Sequence, residues 1–159
     1  KNARAHRHLG ELLMSQNKFS EALIYLRKGI ELAPHDDDLY DALGRALAAQ
    51  GEVVPAMAQF RRAIELNPRS YVSFCNLGAL LLSENNVKES IKNLKISLAL
   101  RPDYYKAHES LGIAYAVSNE LDKAVTHLRE AVKLNPDDPS PKKNLETALR
   151  QLNDSKKQH

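Results

Sequence analysis

The chain has 159 residues, a net charge of +3, 43% hydrophobic and 27% charged residues. That balance belongs to a folded protein and excludes a disordered one. No apolar run approaches the ~18–20 residues that a membrane span needs, and acidic and basic residues alternate without a basic stripe, which argues against a nucleic-acid binder.

The first unit opens on an apolar-periodic first helix holding Leu9, Gly10 and Leu13, and a second helix follows with Ala22 and Leu26 before Pro34. Proline lacks the N–H and clashes with the preceding turn, so it stops the helix. Pro68, Pro102 and Pro136 repeat that stop at an interval of 34 residues. One helical hairpin is therefore copied along the chain, as units 3–36, 37–70, 71–104 and 105–138. The second unit is the clearest. Tyr40, Leu43, Gly44 and Leu47 share one helix face, Gly51 ends that helix, and Pro55 suits the first turn of the next. Ala56, Phe60, Ala63, Ile64 and Leu66 then form a second apolar stripe.

Leu9-Gly10, Leu77-Gly78 and Leu111-Gly112 match Leu43-Gly44. A helical glycine costs about 1 kcal/mol against alanine, so four copies imply a close approach of the two helices in each hairpin. Asn17, Gly51, Asn85 and Asn119 occupy the turn between them, and these residue types best tolerate positive φ. Ser20 and Asp122 are expected to cap second helices, and Asp36, Asp37 and Asp38 suit a helix N-terminus. The stretch 139–153 is expected to form a capping helix, with Leu145, Ala148, Leu149 and Leu152 on its apolar face, followed by a frayed tail, 154–159. Ala5 and Leu12 are expected to face a missing neighbour, which leaves upstream repeats or self-association as completions.

These residues resemble the tetratricopeptide repeat family, whose 34-residue pattern runs aromatic, Leu-Gly, Tyr, Ala, Phe, Pro. The aromatic slot holds His6, Tyr40, Phe74 and His108, and the tyrosine slot holds Leu13, Leu47, Leu81 and Tyr115. The resemblance implies one all-α domain, a right-handed α-solenoid of four repeats plus the capping helix. It also implies that first helices line a concave groove, with unit positions 2, 5, 9, 12 and 13 facing it. On that register Arg7, Glu11, Asp38, Asp41 and Arg45 supply charge in the first two units. Val72, Cys75, Ala79, Leu82, Ile113, Ala116 and Val117 would make an apolar floor, rimmed by Asp38, Asp41, Arg45, Lys106 and Glu109. Such a patch marks an interaction site for a peptide or helix.

Two family-specific partners are tested by position. The clamp for chaperone C-terminal carboxylates finds only Asn76 and Lys106 in matching slots, while Asp41, Arg45 and Ser110 do not match. The asparagine ladder of arrays that feed a glycosyltransferase is reduced to Asn76 among His8, Ala42 and Ser110. The expected function is a non-catalytic scaffold or adaptor that binds a protein segment; the alternatives are the targeting arm of a larger enzyme, such as a glycosyltransferase, or a self-assembly module. No catalytic, cofactor or metal site is expected. His6 and His8 point apart, His6 and His108 fill packing slots, and His127 is expected in solvent. Cys75 is the only cysteine, which fits a cytoplasmic setting and also a periplasmic or extracytoplasmic piece of a longer protein.

Overall fold

The computed structural model describes residues 2–157, which hold nine helices and no strand. The order is α1 (Ala3–Ser15), α2 (Phe19–Leu32), α3 (Asp37–Ala49), α4 (Val53–Leu66), α5 (Tyr71–Ser83), α6 (Val87–Leu100), α7 (Tyr105–Val117), α8 (Leu121–Leu134) and α9 (Pro139–Lys157). The architecture is an all-α helical repeat of the solenoid class. First helices have 13 residues and second helices 14, so the sequence period is a structural period. The chain forms two compact units that divide between Leu80 and Leu81.

The hairpins close on the glycines. A Cβ placed on Gly44 would lie 2.7 Å from the Phe60 ring, one on Gly10 2.7 Å from Leu26, and one on Gly112 2.6 Å from Leu128. Each glycine thus seats the large side chain of its own second helix. Phe60, Leu26 and Leu128 are fully buried in return, each contributing about 1.5–3 kcal/mol of hydrophobic stabilisation.

Every expected left-handed turn residue is left-handed. Asn17, Asn85 and Asn119 have φ of 60°, 58° and 60°, and Gly51 has φ of 80°. The expected caps differ. The α2 helix starts at Phe19, so Ser20 lies inside it and its hydroxyl accepts a hydrogen bond from Gln50 Nε2 at 2.9 Å. Asp122 likewise lies inside α8, whose N-cap is Glu120. Asp36 is the N-cap of α3 without a side-chain cap bond, and Asp37 and Asp38 sit in the first turn, where the helix dipole favours them. An unanticipated cap is Asn2, whose Oδ1 accepts from the Arg4 amide at 3.0 Å.

The α9 helix continues the 34-residue frame as a further first helix, but Lys142 and Glu146 replace the aromatic and the glycine that seat a second helix. Both are exposed. The helix runs to Lys157, past the expected end at 153; residues 158–159 of the expected tail lie outside the described residues. On α1 the seam is bare. Leu9 is 37% and Leu12 55% exposed, whereas Leu43, Ala46, Leu111 and Ala114, at the same repeat positions, are buried. Within the first unit α2 packs on α3, and Gly29 brings its backbone against Leu39; α1 has no such helix on its stripe among the described residues.

Candidate functional sites on the first helices

In the first unit the first helices carry a charge network. Arg7 Nη1 donates to Asp38 Oδ2 at 2.7 Å. Arg45 Nε donates to Asp41 Oδ2 at 3.0 Å, and its Nη2 donates to Glu11 Oε1 at 3.2 Å. Asp41 Oδ1 accepts from Ser73 Oγ at 3.1 Å and from Asn76 Nδ2 at 2.9 Å. Arg7, Glu11, Asp38, Asp41 and Arg45, with Asn67, Arg69 and Val72, border a cavity of about 340 Å³. Desolvation pushes the Asp38 carboxyl above its usual range, the neighbouring Arg7 pulls it back, and Asp37, Asp36 and Asp41 push it up again.

Asp41 is only 6% exposed. A buried carboxylate is tolerated when its oxygens are occupied by donors, and here they are. The family register has Asp41 facing a ligand; it is instead an internal anchor that ties α3 to α5. Asn76, expected in a ligand-holding slot, spends its amide on that anchor. Cys75 is also corrected, because it is 3% exposed and lies out of solvent. The cause for Asp41 lies in the packing of first helices. Position 5 of a first helix leans toward the next first helix and is not directed outward. Arg7 reaches Asp38 of the following repeat, Asp41 reaches Ser73 and Asn76, and in the second unit Glu109 accepts from Ser140 Oγ and, at 2.9 Å, from Asn144 Nδ2.

The second unit presents a different surface. Ile113, Ala116 and Val117 of α7 border a hollow of about 160 Å³ together with Leu128 of α8 and Thr147, Ala148 and Gln151 of α9. Val117 is 56% exposed. Lys106 is exposed and Leu82 half-buried; in the first unit Ala79 is exposed and Val72 half-buried. Of the expected apolar floor, Val72 and Ala79 therefore belong to one unit, Leu82, Ile113, Ala116 and Val117 to the other, and Cys75 drops out.

The histidines also depart from expectation. His127 is half-buried, its ring stacked on Tyr115 at 5.6 Å, and its Nδ1 lies 3.0 Å from His108 Nδ1. His108 Nε2 donates to the Pro102 carbonyl at 2.9 Å, as the Tyr40 hydroxyl donates to the Pro34 carbonyl at 3.1 Å. Histidine thus works in the aromatic slot as a flat ring with a polar handle. The signal for the pairing was the spacing itself: position 4 of a first helix and the second helix of the same hairpin carry the two imidazoles. Among the described residues no group of three or more His, Cys, Asp or Glu side chains is gathered as a metal centre would need. No described helix is long and apolar enough to cross a membrane.

Three models of the tetratricopeptide repeat match the chain, over residues 3–36, 37–70 and 75–139. No curated protein matches it. Among solved structures it is similar to PilF of Pseudomonas aeruginosa, with a TM-score of 0.87 and 21% identity, covering 96% of this chain and 69% of that one. A thermophilic tetratricopeptide repeat protein of Thermus thermophilus gives 0.84 at 21% identity, covering 94% and 82%. MamA of Desulfovibrio magneticus RS-1 gives 0.74 at 24% identity, covering 96% and 92%. At these identities the likeness is one of fold.

Proposed function

The chain belongs to the tetratricopeptide repeat family and is a protein-interaction repeat module; from that premise we propose that it is a non-catalytic scaffold or adaptor whose first-helix faces hold a peptide or helix of a protein partner. The observation that carries this reading is the apolar hollow of the second unit. Ile113, Ala116 and Val117 leave apolar surface in contact with water beside polar Thr147 and Gln151. Burying an apolar side chain of a partner there removes that surface from water at about 25 cal/mol per Å². Lys106 and Glu109, on the same α7 helix, offer charge to the partner's flanking residues. In the first unit Glu11, Asp38 and Arg45 supply a polar counterpart beside Val72 and Ala79, with Arg7, Asp41 and Asn76 fixing the helices that carry them. Cys75 has no contact role in this reading. The expected affinity for a short segment is micromolar, about −8 kcal/mol.

Peptides selected from a random displayed library against the whole chain test this. Val117→Asp is expected to weaken the selected peptides at least tenfold with helix content unchanged. Equal affinity for the wild type and the Val117→Asp and Lys106→Glu variants would overturn the site.

Self-association is the second reading, favoured by the bare α1 stripe at Leu9 and Leu12. Light scattering on the same samples reads it: a mass that rises with concentration and returns to monomer in Leu12→Asp supports it, and a constant monomer mass removes it.

A further inference from the structure

We propose that His108 and His127 form a proton-sensitive brace between α7 and α8, closed while the pair shares one proton and opened when both imidazoles are charged. The argument begins with the Pro102 carbonyl, which can only accept. His108 Nε2, at 2.9 Å from it, must therefore carry a hydrogen. In a neutral ring the other nitrogen, Nδ1, is then a bare lone pair. His127 Nδ1, 3.0 Å away, must supply the hydrogen that lies between them. The arrangement uses one proton at the Nδ1–Nδ1 contact and has no room for two. The rings lie 5.2 Å apart with 35° between their planes, and Tyr115 stacks on the far ring and holds its plane.

The surroundings oppose charge on this pair. On α6, Lys95 acts on His127 as a like charge, and His108 does the same from α7. Burial is the larger cause, and together they hold the His127 imidazole below its usual range. On α8 itself, Lys123 lies over the Tyr115 ring at 5.3 Å and is ion-paired to Glu120. The α9 residues nearest the α7–α8 hollow, Asn144, Thr147, Ala148 and Gln151, do not titrate. The charges that act on the His127 imidazole, those of His108 and Lys95, both disfavour a second proton.

The sign follows by linkage. A base whose folded-state value is depressed takes up its proton first in the unfolded chain, so stability is complete above the ordinary histidine range and is lost as pH falls through it. With an ordinary value near 6.5, the loss starts just below neutrality. The brace joins the two helices of the fourth repeat, so the loss is expected to be local to the second unit.

Two measurements on the full chain decide it. Urea unfolding from about pH 7.5 to pH 5 compares the wild type with His127→Gln, whose amide can donate to His108 Nδ1 and can turn to accept once His108 is charged. The wild-type midpoint is expected to fall more steeply than that of the variant; parallel curves would overturn the proposal. Nitrogen-15 spectra of the imidazoles at about pH 7.5 provide the second reading. A protonated Nε2 and bare Nδ1 on His108, with His127 titrating below the ordinary range, support the brace. The opposite tautomer on His108, or an ordinary titration of His127, refutes it even if a variant fails to fold.

Discussion

The two units build their first-helix faces from one frame and finish them in opposite ways. In the first, repeat positions 5 and 9 of α1 and α3 carry Arg7, Glu11, Asp41 and Arg45; Arg45 binds Asp41 and Glu11 within 3.2 Å, and Arg7 binds Asp38 at 2.7 Å. In the second, the same positions of α7 carry Glu109 and Ile113; the acid finds donors on α9, and the apolar residue borders the open hollow. The backbone frame repeats because glycine, asparagine and proline fix it. The face does not repeat, because nothing in hairpin closure constrains positions 9 and 13. One region consumes its own polarity and is stiffened by it. The other leaves apolar surface unspent, which is why the proposed reading puts a partner there.

The sharpest way to break this contrast is to remove the acid at position 5 in each unit. Asp41 is buried and occupied by three donors, one of them the Arg45 guanidinium. Asp41→Ala strands the Asn76 amide, leaves Ser73 only its Ser70 contact, and is expected to cost about 3 kcal/mol, the size of a broken buried charge contact. Glu109 is half-buried, and water can reach the donors left by Glu109→Ala, so about 0.5–1 kcal/mol is expected there. Urea unfolding of both variants checks the pair. Equal costs would mean that the first unit's network is no more internal than the second's.

The legibility of the fold and of the site divides along the same line. The 34-residue period, the hairpin boundaries and the left-handed turns are readable because each rests on a single residue type with one physical use. Asn17, Gly51, Asn85 and Asn119 all carry positive φ as their residue types demand. Position 5 misleads because a helical wheel shows which face a residue shares but not that consecutive first helices meet along its edge; Asp41 is buried by that meeting. Ser20 and Asp122 look like caps, yet the N-caps are Lys18 and Glu120, so both helices begin two residues earlier than a side-chain signal suggests. His127 looks solvent-facing because its own helix neighbours are polar; its partner lies across the hairpin.

A second pair of substitutions asks whether the frame is as uniform as the faces are different. Gly44 and Gly112 occupy the same repeat position, one in each unit. A Cβ on Gly44 would meet the Phe60 ring at 2.7 Å, and one on Gly112 would meet Leu128 Cγ at 2.6 Å. Neither contact is the far end of a flexible chain: the ring is rigid, and Cγ is a branch point. Replacing glycine in a helix by a good helix former recovers about 1 kcal/mol of backbone propensity, so the overpacking penalty has to exceed that to show. A leucine brings three more carbons past the Cβ into a contact that is already too short, and overpacking of this kind costs about 1–3 kcal/mol. Gly44→Leu and Gly112→Leu are each expected to lose about 2 kcal/mol, within experimental error of one another, as read from thermal and urea unfolding. If Gly112→Leu were neutral while Gly44→Leu was costly, the hairpin closure would depend on Phe60 in particular, and the glycine would be a local solution in the second repeat instead of the rule that builds all four.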